Sequence, residues 1–164
     1  MLTTMSQPPS QTDMRIRPAQ FNELGQLSAL AMRSKAHWGY SAAQMDCWRE
    51  DLSLRPEQIA PQVCRVAVME RRLAGFFVLA VDQQWSLDHL WVDPIWIGHG
   101  VGKALLRQAC GLAAEQGANA LAIDSDPYAE AFYCSQGAQR VSALAAPIAG
   151  DPARVRPQLR LSIG

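Results

Sequence analysis

The sequence has no excess of charge of either sign. Fifteen lysines and arginines face fifteen aspartates and glutamates, so the formal net charge is zero at pH 7. Proteins that bind nucleic acid draw much of their affinity from surplus basic side chains that contact phosphates. The balance of charge therefore disfavours a nucleic-acid partner.

Clustered metal ligands and long apolar runs are also lacking. The histidines do not cluster, and the four cysteines form no Cys-x-x-Cys motif: Cys47, Cys64, Cys110 and Cys134. We therefore expect free thiols, with neither a zinc site nor a disulfide framework. No apolar run is long enough for a membrane helix, and the first residues lack the apolar core of a signal peptide. These absences favour a soluble, cytoplasmic protein with no metal and no membrane partner.

The length and composition are those of one globular domain. The chain has 164 residues, of which 49% are hydrophobic and 18% are charged, which is enough apolar material for a sizeable core. Residues 1–13 are polar and rich in Pro, Ser and Gln, so we expect a flexible N-terminal tail followed by a single domain over residues 14–164.

Hydrophobic periodicity predicts alternating strands and helices. The predicted strands are Met14–Pro18, Cys64–Glu70, Leu73–Val81, Trp85–Val92, Ala120–Ile123, Ala138–Leu144 and Gln158–Ile163. Helices are predicted from about Phe21 to Lys35, from Ser41 to before Pro56, from Val101 to Gln116, and around Ala129–Tyr133, and a loop over Ala145–Pro157. This order favours an α/β (α+β) fold, in which about seven strands form a mixed sheet with helices on both faces.

A glycine-rich turn lies between a predicted strand and a predicted helix. Gly98, Gly100 and Gly102 fall within five residues, and glycine lets a ligand approach the main chain closely. The helix that follows directs its unpaired N–H groups and its positive dipole end at the turn. Such a turn is an anion site, most often for phosphate.

Two well-known phosphate motifs do not fit this turn. A Walker loop would need glycine and a hydroxyl where the chain has Ile97 and Ala104, so a nucleoside-triphosphate site is excluded. The dinucleotide fingerprint would need a third glycine at Lys103. Another phosphate ligand is therefore indicated.

Two segments resemble the GNAT N-acetyltransferase superfamily. Gly98-x-Gly100-x-Gly102, after Leu90-x-Val92-x-Pro94 and before Ala104-Leu105-Leu106, is similar to the loop that holds the pyrophosphate of coenzyme A. The segment from Asp126 to Ala138 is similar to the family's Asn-x-x-Ala-x-x-Phe-Tyr-x-x-x-Gly-Phe signature. The order of elements over residues 14–164 matches as well. Three positions depart from the pattern: Ile97 stands for Gln or Arg, Asp126 for Asn, and Ala138 for an aromatic residue.

The resemblance implies a GNAT-like, mostly antiparallel sheet and an acetyl-CoA-dependent N-acetyltransferase. Such an enzyme moves an acetyl group directly to a primary amine of a small molecule or peptide in a ternary complex. The alternative is a catalytically degenerate module that binds acyl-CoA for regulation or assembly. The apolar C-terminal strands would suit a homodimer.

The resemblance also assigns roles to residues on the cofactor side. It implies that acetyl-CoA is bound by the strand main chain, the glycine turn and the following signature: Leu90, Trp91, Val92, Gly98, His99, Gly100, Val101, Gly102, Lys103, Ala104 and Asp126. Tyr133 matches the family tyrosine that protonates the leaving thiolate.

The base that accepts the proton of the amine is less sharply defined. Alternation along the strand places Asp88 with Ser86 and Leu90 on one face, and His89 on the other. The family's base lies on the acceptor side of this strand, which favours Asp88. His89 has the better unperturbed pKa, a bulge would exchange the two faces, and water remains a third alternative.

Acceptor residues are expected between the first two helices, where the family builds its acceptor site. His37, Trp38 and Tyr40 lie on that predicted loop. The arginines at 154, 156 and 160 could contact an acidic substrate or a phosphate of coenzyme A, but we expect them to be solvated charges.

Overall fold

The computed structural model describes residues 13–164. The flexible tail predicted for residues 1–13 therefore lies outside the described residues, apart from Asp13. The described chain forms a seven-stranded sheet with helices packed on both faces. The α/β fold class predicted from the sequence is thereby confirmed.

The elements follow the predicted order. The described helices are α1 (Leu24–Ala36), α2 (Ala42–Leu52), α3 (Val101–Glu115) and α4 (Glu130–Ser135). The strands are β1 (Arg15–Pro18), β2 (Cys64–Met69), β3 (Arg72–Val81), β4 (Trp85–Val92), β5 (Ala120–Asp124), β6 (Gln139–Ala145) and β7 (Val155–Ser162). Short 3₁₀ turns lie at Phe21–Glu23, Pro56–Ile59 and Pro94–Trp96.

The start of the last strand differs from the prediction. Strand β7 begins at Val155, whereas the predicted loop runs to Pro157. Proline has no N–H to donate to a sheet, which is why the sequence favours a loop there. Pairing between β5 and β7 ends at Asp124 and Gln158, so Pro157 lies beyond that ladder and pairs only with Ala143 of β6.

The sheet opens in its middle. The strand order is β1-β2-β3-β4-β5-β7-β6, and every pair is antiparallel except β4 with β5. That parallel pair is joined at only two positions, Ser86 with Ala122 and Leu87 with Ile123. Beyond Leu87 the two strands diverge, and the edge of β4 that faces β5 is left with unpaired main-chain groups.

A β-bulge interrupts β4 at the start of this gap. Val78 of β3 pairs with His89 and Leu79 pairs with Leu87, so Asp88 has no partner on β3. The prediction that side chains alternate strictly between the two faces of β4 is therefore wrong at Asp88. An extra residue shifts the faces of the strand on either side of it.

Two apolar cores lie on opposite faces of the sheet. Phe76 and Phe77 are adjacent on β3 and both fully buried, because successive side chains point to opposite faces. Phe77 packs in the core that holds Leu105 of α3, and Phe76 packs in the core that holds Leu30 of α1. The two layers of helices thus hold β4 and the glycine turn in place from both sides.

Gly75 on β3 packs tightly between β4 and α3. A Cβ there would lie 2.7 Å from the main-chain oxygen of Trp91 and 2.9 Å from Cδ1 of Leu105. We expect Gly75→Ala to lower the free energy of unfolding by about 1–3 kcal/mol, because the core is overpacked. Chemical denaturation measures this change.

The matched control is Gly25→Ala in the first turn of α1. A Cβ at Gly25 would meet no atom within 4 Å, so stability should be unchanged or slightly raised. Equal stability of the two variants would contradict the close packing of α3 on β3.

Candidate active site

The predicted anion site lies at the N-terminus of α3. Gly98 and Gly100 have φ angles of +85° and +80°, in the left-handed region that favours glycine. A Cβ at either position would meet no atom within 4 Å, so the turn borders open space. In residues 13–164, five main-chain N–H groups here donate to no protein acceptor: those of Gly98, Gly100, Val101, Gly102 and Lys103. Together with the helix dipole, these donors suit a phosphate.

A cavity of 370 Å³ connects the glycine turn with the gap beside β4. We call it the smaller cavity. Its wall is mostly apolar and includes the unpaired part of β4, Trp96, and Phe132 of α4. Nε1 of Trp96 is buried and finds no acceptor within the described chain. These features fit coenzyme A, which has an anionic pyrophosphate followed by a long arm that can pair with a strand edge.

Most of the predicted cofactor residues meet in this wall. The smaller cavity is lined by Leu90, Trp91, Val92, Gly98, Gly100, Val101, Gly102, Lys103 and Asp126. His99 and Ala104 lie outside its lining. The ring of His99 is exposed, and its Nδ1 lies 3.2 Å from the carbonyl oxygen of Ile97.

Tyr133 is buried in the wall of the smaller cavity. The side chain is 7% exposed, and its ring packs edge-on against Phe132 with the centroids 5.2 Å apart. Burial, and to a smaller extent the charge of Asp126, raise the pKa of the phenol. The hydroxyl therefore stays protonated at neutral pH. It donates to no group among residues 13–164, which leaves it available to a ligand.

Asp88 and His89 differ sharply in their surroundings. Asp88 is exposed at the bulge, and its carboxylate accepts a hydrogen bond of 3.3 Å from Gln58. His89 is 8% exposed, and its Nδ1 accepts a 3.0 Å hydrogen bond from Nε1 of Trp91. Burial lowers the pKa of His89, so the ring is neutral and its acceptor nitrogen is already occupied. Asp88 is therefore the better placed proton acceptor.

A second cavity, of 1120 Å³, also borders Asp88. We call it the larger cavity. Its floor is the open face of β5 and β7, where Ala122 leaves space, and α2 contributes Trp48 and Asp51 to its wall. Five residues line both cavities: Leu87, Asp88, Trp91, Asp124 and Asp126. Two ligands can therefore meet where β4 and β5 diverge.

Asp126 is the centre of a buried polar cluster. Its Oδ2 lies 3.2 Å from Nζ of Lys35, 2.9 Å from the hydroxyl of Tyr40 and 3.6 Å from Nη2 of Arg154. The ammonium of Lys35 lies 4.1 Å from the centre of the Trp48 ring. The ionised side chains of Lys35, Asp126 and Arg154 are only 13%, 7% and 4% exposed. We call these five residues the Asp126 cluster.

The three predicted acceptor residues lie in different surroundings. His37 is exposed, lines neither cavity and packs edge-on against Trp38. Trp38 stacks on Tyr128 with the ring centroids 5.4 Å apart and lines the smaller cavity. Tyr40 belongs to the Asp126 cluster. Their role in binding an acceptor stays a prediction.

Sequence reasoning missed Lys35 and Trp48, and its expectation for Arg154 is wrong. Arg154 is not solvated, because its guanidinium is folded against Tyr40, 114 residues away in sequence, and donates to the carbonyl oxygen of Ala146. No local pattern signals such a contact. The loop between β6 and β7 brings Arg154 to the cluster only in the folded protein.

Two further features concern the whole described range. Among residues 13–164, no three His, Cys, Asp or Glu side chains come together as a group that could hold a metal ion. In the same range, every helix is too short or too polar to cross a membrane.

Several solved structures of similar fold are acetyltransferases. A GCN5-related N-acetyltransferase from Rhodopseudomonas palustris superposes with a TM-score of 0.76 at 21% identity, covering 93% of this chain and 97% of that one. The PaiA N-acetyltransferase from Thermoplasma acidophilum, in complex with coenzyme A, has a TM-score of 0.70 at 18% identity, covering 91% and 98%. The ribosomal-protein-S18-alanine N-acetyltransferase from Escherichia coli has a TM-score of 0.69 at 18% identity, covering 92% and 94%. At these identities the likeness establishes the fold.

The family follows from the sequence itself. The acetyltransferase (GNAT) domain family matches residues 23–144, which is more than half of the chain, and the chain belongs to that family. The family and the enzyme class predicted from the two motifs are thereby confirmed. No curated protein matches the chain.

Proposed function

We propose that the protein transfers an acetyl group from acetyl-CoA directly to a primary amine of a small molecule or peptide, with both bound at once. The observation that carries this proposal is the meeting of the two cavities at Asp88, where β4 and β5 diverge. Acetyl-CoA supplies an acetyl group that is already activated as a thioester. The protein must then position the amine, accept its proton and protonate the leaving thiolate.

On the cofactor side, main-chain groups have the main role. The free N–H groups of the glycine turn hold the pyrophosphate. The unpaired edge of β4 from Leu90 to Val92 pairs with the pantetheine arm in the manner of an added strand. An N–H group of the same edge polarises the thioester carbonyl. The PaiA relative is bound to coenzyme A, which agrees with this assignment.

Gly100→Val tests the phosphate site. A valine side chain would fill the open space beside the turn, so we expect the Kd for coenzyme A to rise about tenfold or more, the loss of one hydrogen bond to a charged group. Isothermal titration calorimetry measures this change.

The control for this variant is Gly150→Val. Gly150 also has a positive φ, +84°, and its Cβ would also meet no atom within 4 Å, but it lines neither cavity. Both variants carry the same backbone strain, so only Gly100→Val should weaken binding. Unchanged affinity in Gly100→Val would contradict the phosphate site.

Two side chains handle protons in the proposed reaction. Asp88 accepts the proton of the amine, since it borders both cavities and its carboxylate is exposed. Tyr133 protonates the thiolate, since its buried hydroxyl stays protonated and lies in the wall of the smaller cavity. His89 supports the strand instead, because Trp91 already occupies its Nδ1.

Asp88→Asn is expected to lower kcat/KM roughly 100-fold, the usual contribution of a positioned base. The amide has the same shape but cannot accept the proton, so affinity for coenzyme A should not change. Asp82→Asn, in the exposed turn between β3 and β4, is the matched control and should keep full activity. Full activity of Asp88→Asn would instead point to water as the proton acceptor.

A degenerate acyl-CoA-binding module is the alternative function. Ile97, which stands where the family has a polar residue, is 43% exposed and lines the smaller cavity, so one phosphate contact of the family is missing. Thiol release from acetyl-CoA, measured over amines, polyamines, amino acids and peptides, separates the two functions. Tight binding of coenzyme A without release on any acceptor would favour the module.

The proposal extends to domain, assembly and location. We place residues 14–164 in one domain and propose a cytoplasmic homodimer without a nucleic-acid partner. The four cysteines are free thiols, which suits a reducing compartment.

All seven residues of the edge strand β6 are exposed, including Val141 and Leu144, and this strand is the proposed dimer contact. Light scattering during gel filtration tests the mass.

A further inference from the structure

The Asp126 cluster carries more positive than negative charge. Lys35 and Arg154 each contribute one positive charge and Asp126 one negative charge, which leaves one positive charge unbalanced. Tyr40 adds none, because its pKa is raised to about 12, chiefly by burial. A charge held away from water is unfavourable unless it is paired. A bound anion would offset it.

Both cations lie on the acceptor side. Lys35 and Arg154 line the larger cavity and not the smaller one, whereas Asp126 lines both. An ammonium has three N–H donors, and the contact of Lys35 with Asp126 uses one of them. Nε of Arg154 is buried and has no acceptor among the described residues. Hydrogen-bonding capacity therefore remains beside the larger cavity.

Burial disfavours the charge on Lys35. Burial lowers its pKa, the charge and hydrogen bond of Asp126 oppose this, and Arg154 and Arg156 lower the pKa by smaller amounts. A carboxylate beside Nζ would reverse this effect, because an opposite charge favours the ionised form. The aromatic ring of Trp48, over which the ammonium lies, keeps water from one side of it.

The larger cavity also has acidic lining residues. Asp51 and Asp88 line it and form no ion pair within the described chain. Of the arginines on the floor, Arg156 is paired with Asp124 at 3.1 Å, and Arg160 adds a further positive charge on β7. The lining of the cavity thus offers partners both to an amine and to an anion.

We propose that the acceptor carries a carboxylate together with its amine, with the carboxylate held by Lys35 and Arg154 and the amine placed beside Asp88. This inference rests on the proposed transferase function and names its substrate class as amino acids. Simple alkylamines leave the positive charge of the cluster unbalanced. Polyamines bring more positive charge to it and are disfavoured.

Matched acceptor pairs test this assignment with the full chain. Each pair contains an amino acid and the amine left when its carboxylate is removed: glycine and methylamine, β-alanine and ethylamine, γ-aminobutyrate and propylamine, lysine and cadaverine, phenylalanine and phenethylamine. The value of kcat/KM, corrected for the fraction of neutral amine, should favour the amino acid roughly tenfold or more in at least one pair. Equal values in every pair would overturn the assignment and leave the transferase function standing. Absence of transfer to all acceptors would overturn both.

Variants of Lys35 sharpen the test. Lys35→Met should bring the ratio within the best pair close to one by lowering kcat/KM for the amino acid and not for the alkylamine. Lys35→Arg keeps the charge and should keep the preference. Arg49→Gln removes an exposed cation that pairs with Asp46 outside the larger cavity, and it should change neither value. A preference that survives in Lys35→Met would overturn the assignment.

Discussion

Tyr133→Phe is expected to lower kcat roughly 100-fold or more and to leave the Kd for coenzyme A within about twofold. The phenol is buried in the wall of the smaller cavity, with no hydrogen-bond partner in the described chain. Its raised pKa keeps the hydroxyl protonated, so it donates a hydrogen bond that strengthens as negative charge develops on the sulfur, and it delivers its proton as the thiolate leaves.

Three measurements separate this role from a structural one. The thermal midpoint of Tyr133→Phe should match that of the wild type, since the ring is kept and no protein hydrogen bond is lost. Calorimetry should show intact binding of coenzyme A. The wild-type pH–rate profile should show no loss of an essential acid below the ordinary tyrosine pKa of about 10. Unchanged turnover in Tyr133→Phe would remove the proposed acid.

Asp126→Ala is expected to lower the free energy of unfolding by about 3–5 kcal/mol, with a fall in Tm of roughly 10 °C. The carboxylate is the shared partner of Lys35 and Arg154, whose side chains are 13% and 4% exposed. Without it, two cations remain close together in a poorly hydrated place. Chemical denaturation of the protein without ligand gives the value.

Asp124→Ala is the matched control, two residues away on β5. Its ion pair with Arg156 joins side chains that are 48% and 45% exposed, so its loss should change stability by no more than about 1 kcal/mol. Asp126→Asn keeps an acceptor for the N–H of Tyr128, which now bonds Oδ1 at 2.9 Å, and should fall between the two alanine variants. Similar losses at Asp124 and Asp126 would contradict a buried cluster.

The fold could be predicted from the sequence because the patterns that indicate each element involve neighbouring residues. Alternation marks β2, a continuous apolar run marks β3, and the apolar face of α3 repeats at helical spacing with Leu105 and Ala109 buried. Gly98 and Gly100 mark their own turn, since both have the positive φ that other residues rarely adopt. Each of these features depends on residues close together in the chain.

The acceptor side of the proposed site could not be predicted from the sequence in the same way. The bulge at Asp88 arises from the register in which β4 pairs with β3. The pattern of apolar and polar residues along β4 does not reveal that register. The Asp126 cluster joins residues that lie far apart in the sequence, from Lys35 in α1 to Arg154 in the loop between β6 and β7. Nothing near either residue in the sequence distinguishes a buried ion from a solvated one.

By itself, the sequence determined the family, the order of elements and the position of the glycine turn, because glycine positions and hydrophobic periods act through neighbouring residues. Only the tertiary structure decided where β4 and β5 separate, which side chains line both cavities, and that Lys35 and Arg154 share one carboxylate. The physical reason is that charge balance and burial depend on distances in space. Those distances are set when the two layers of helices and the β6–β7 loop close around the sheet.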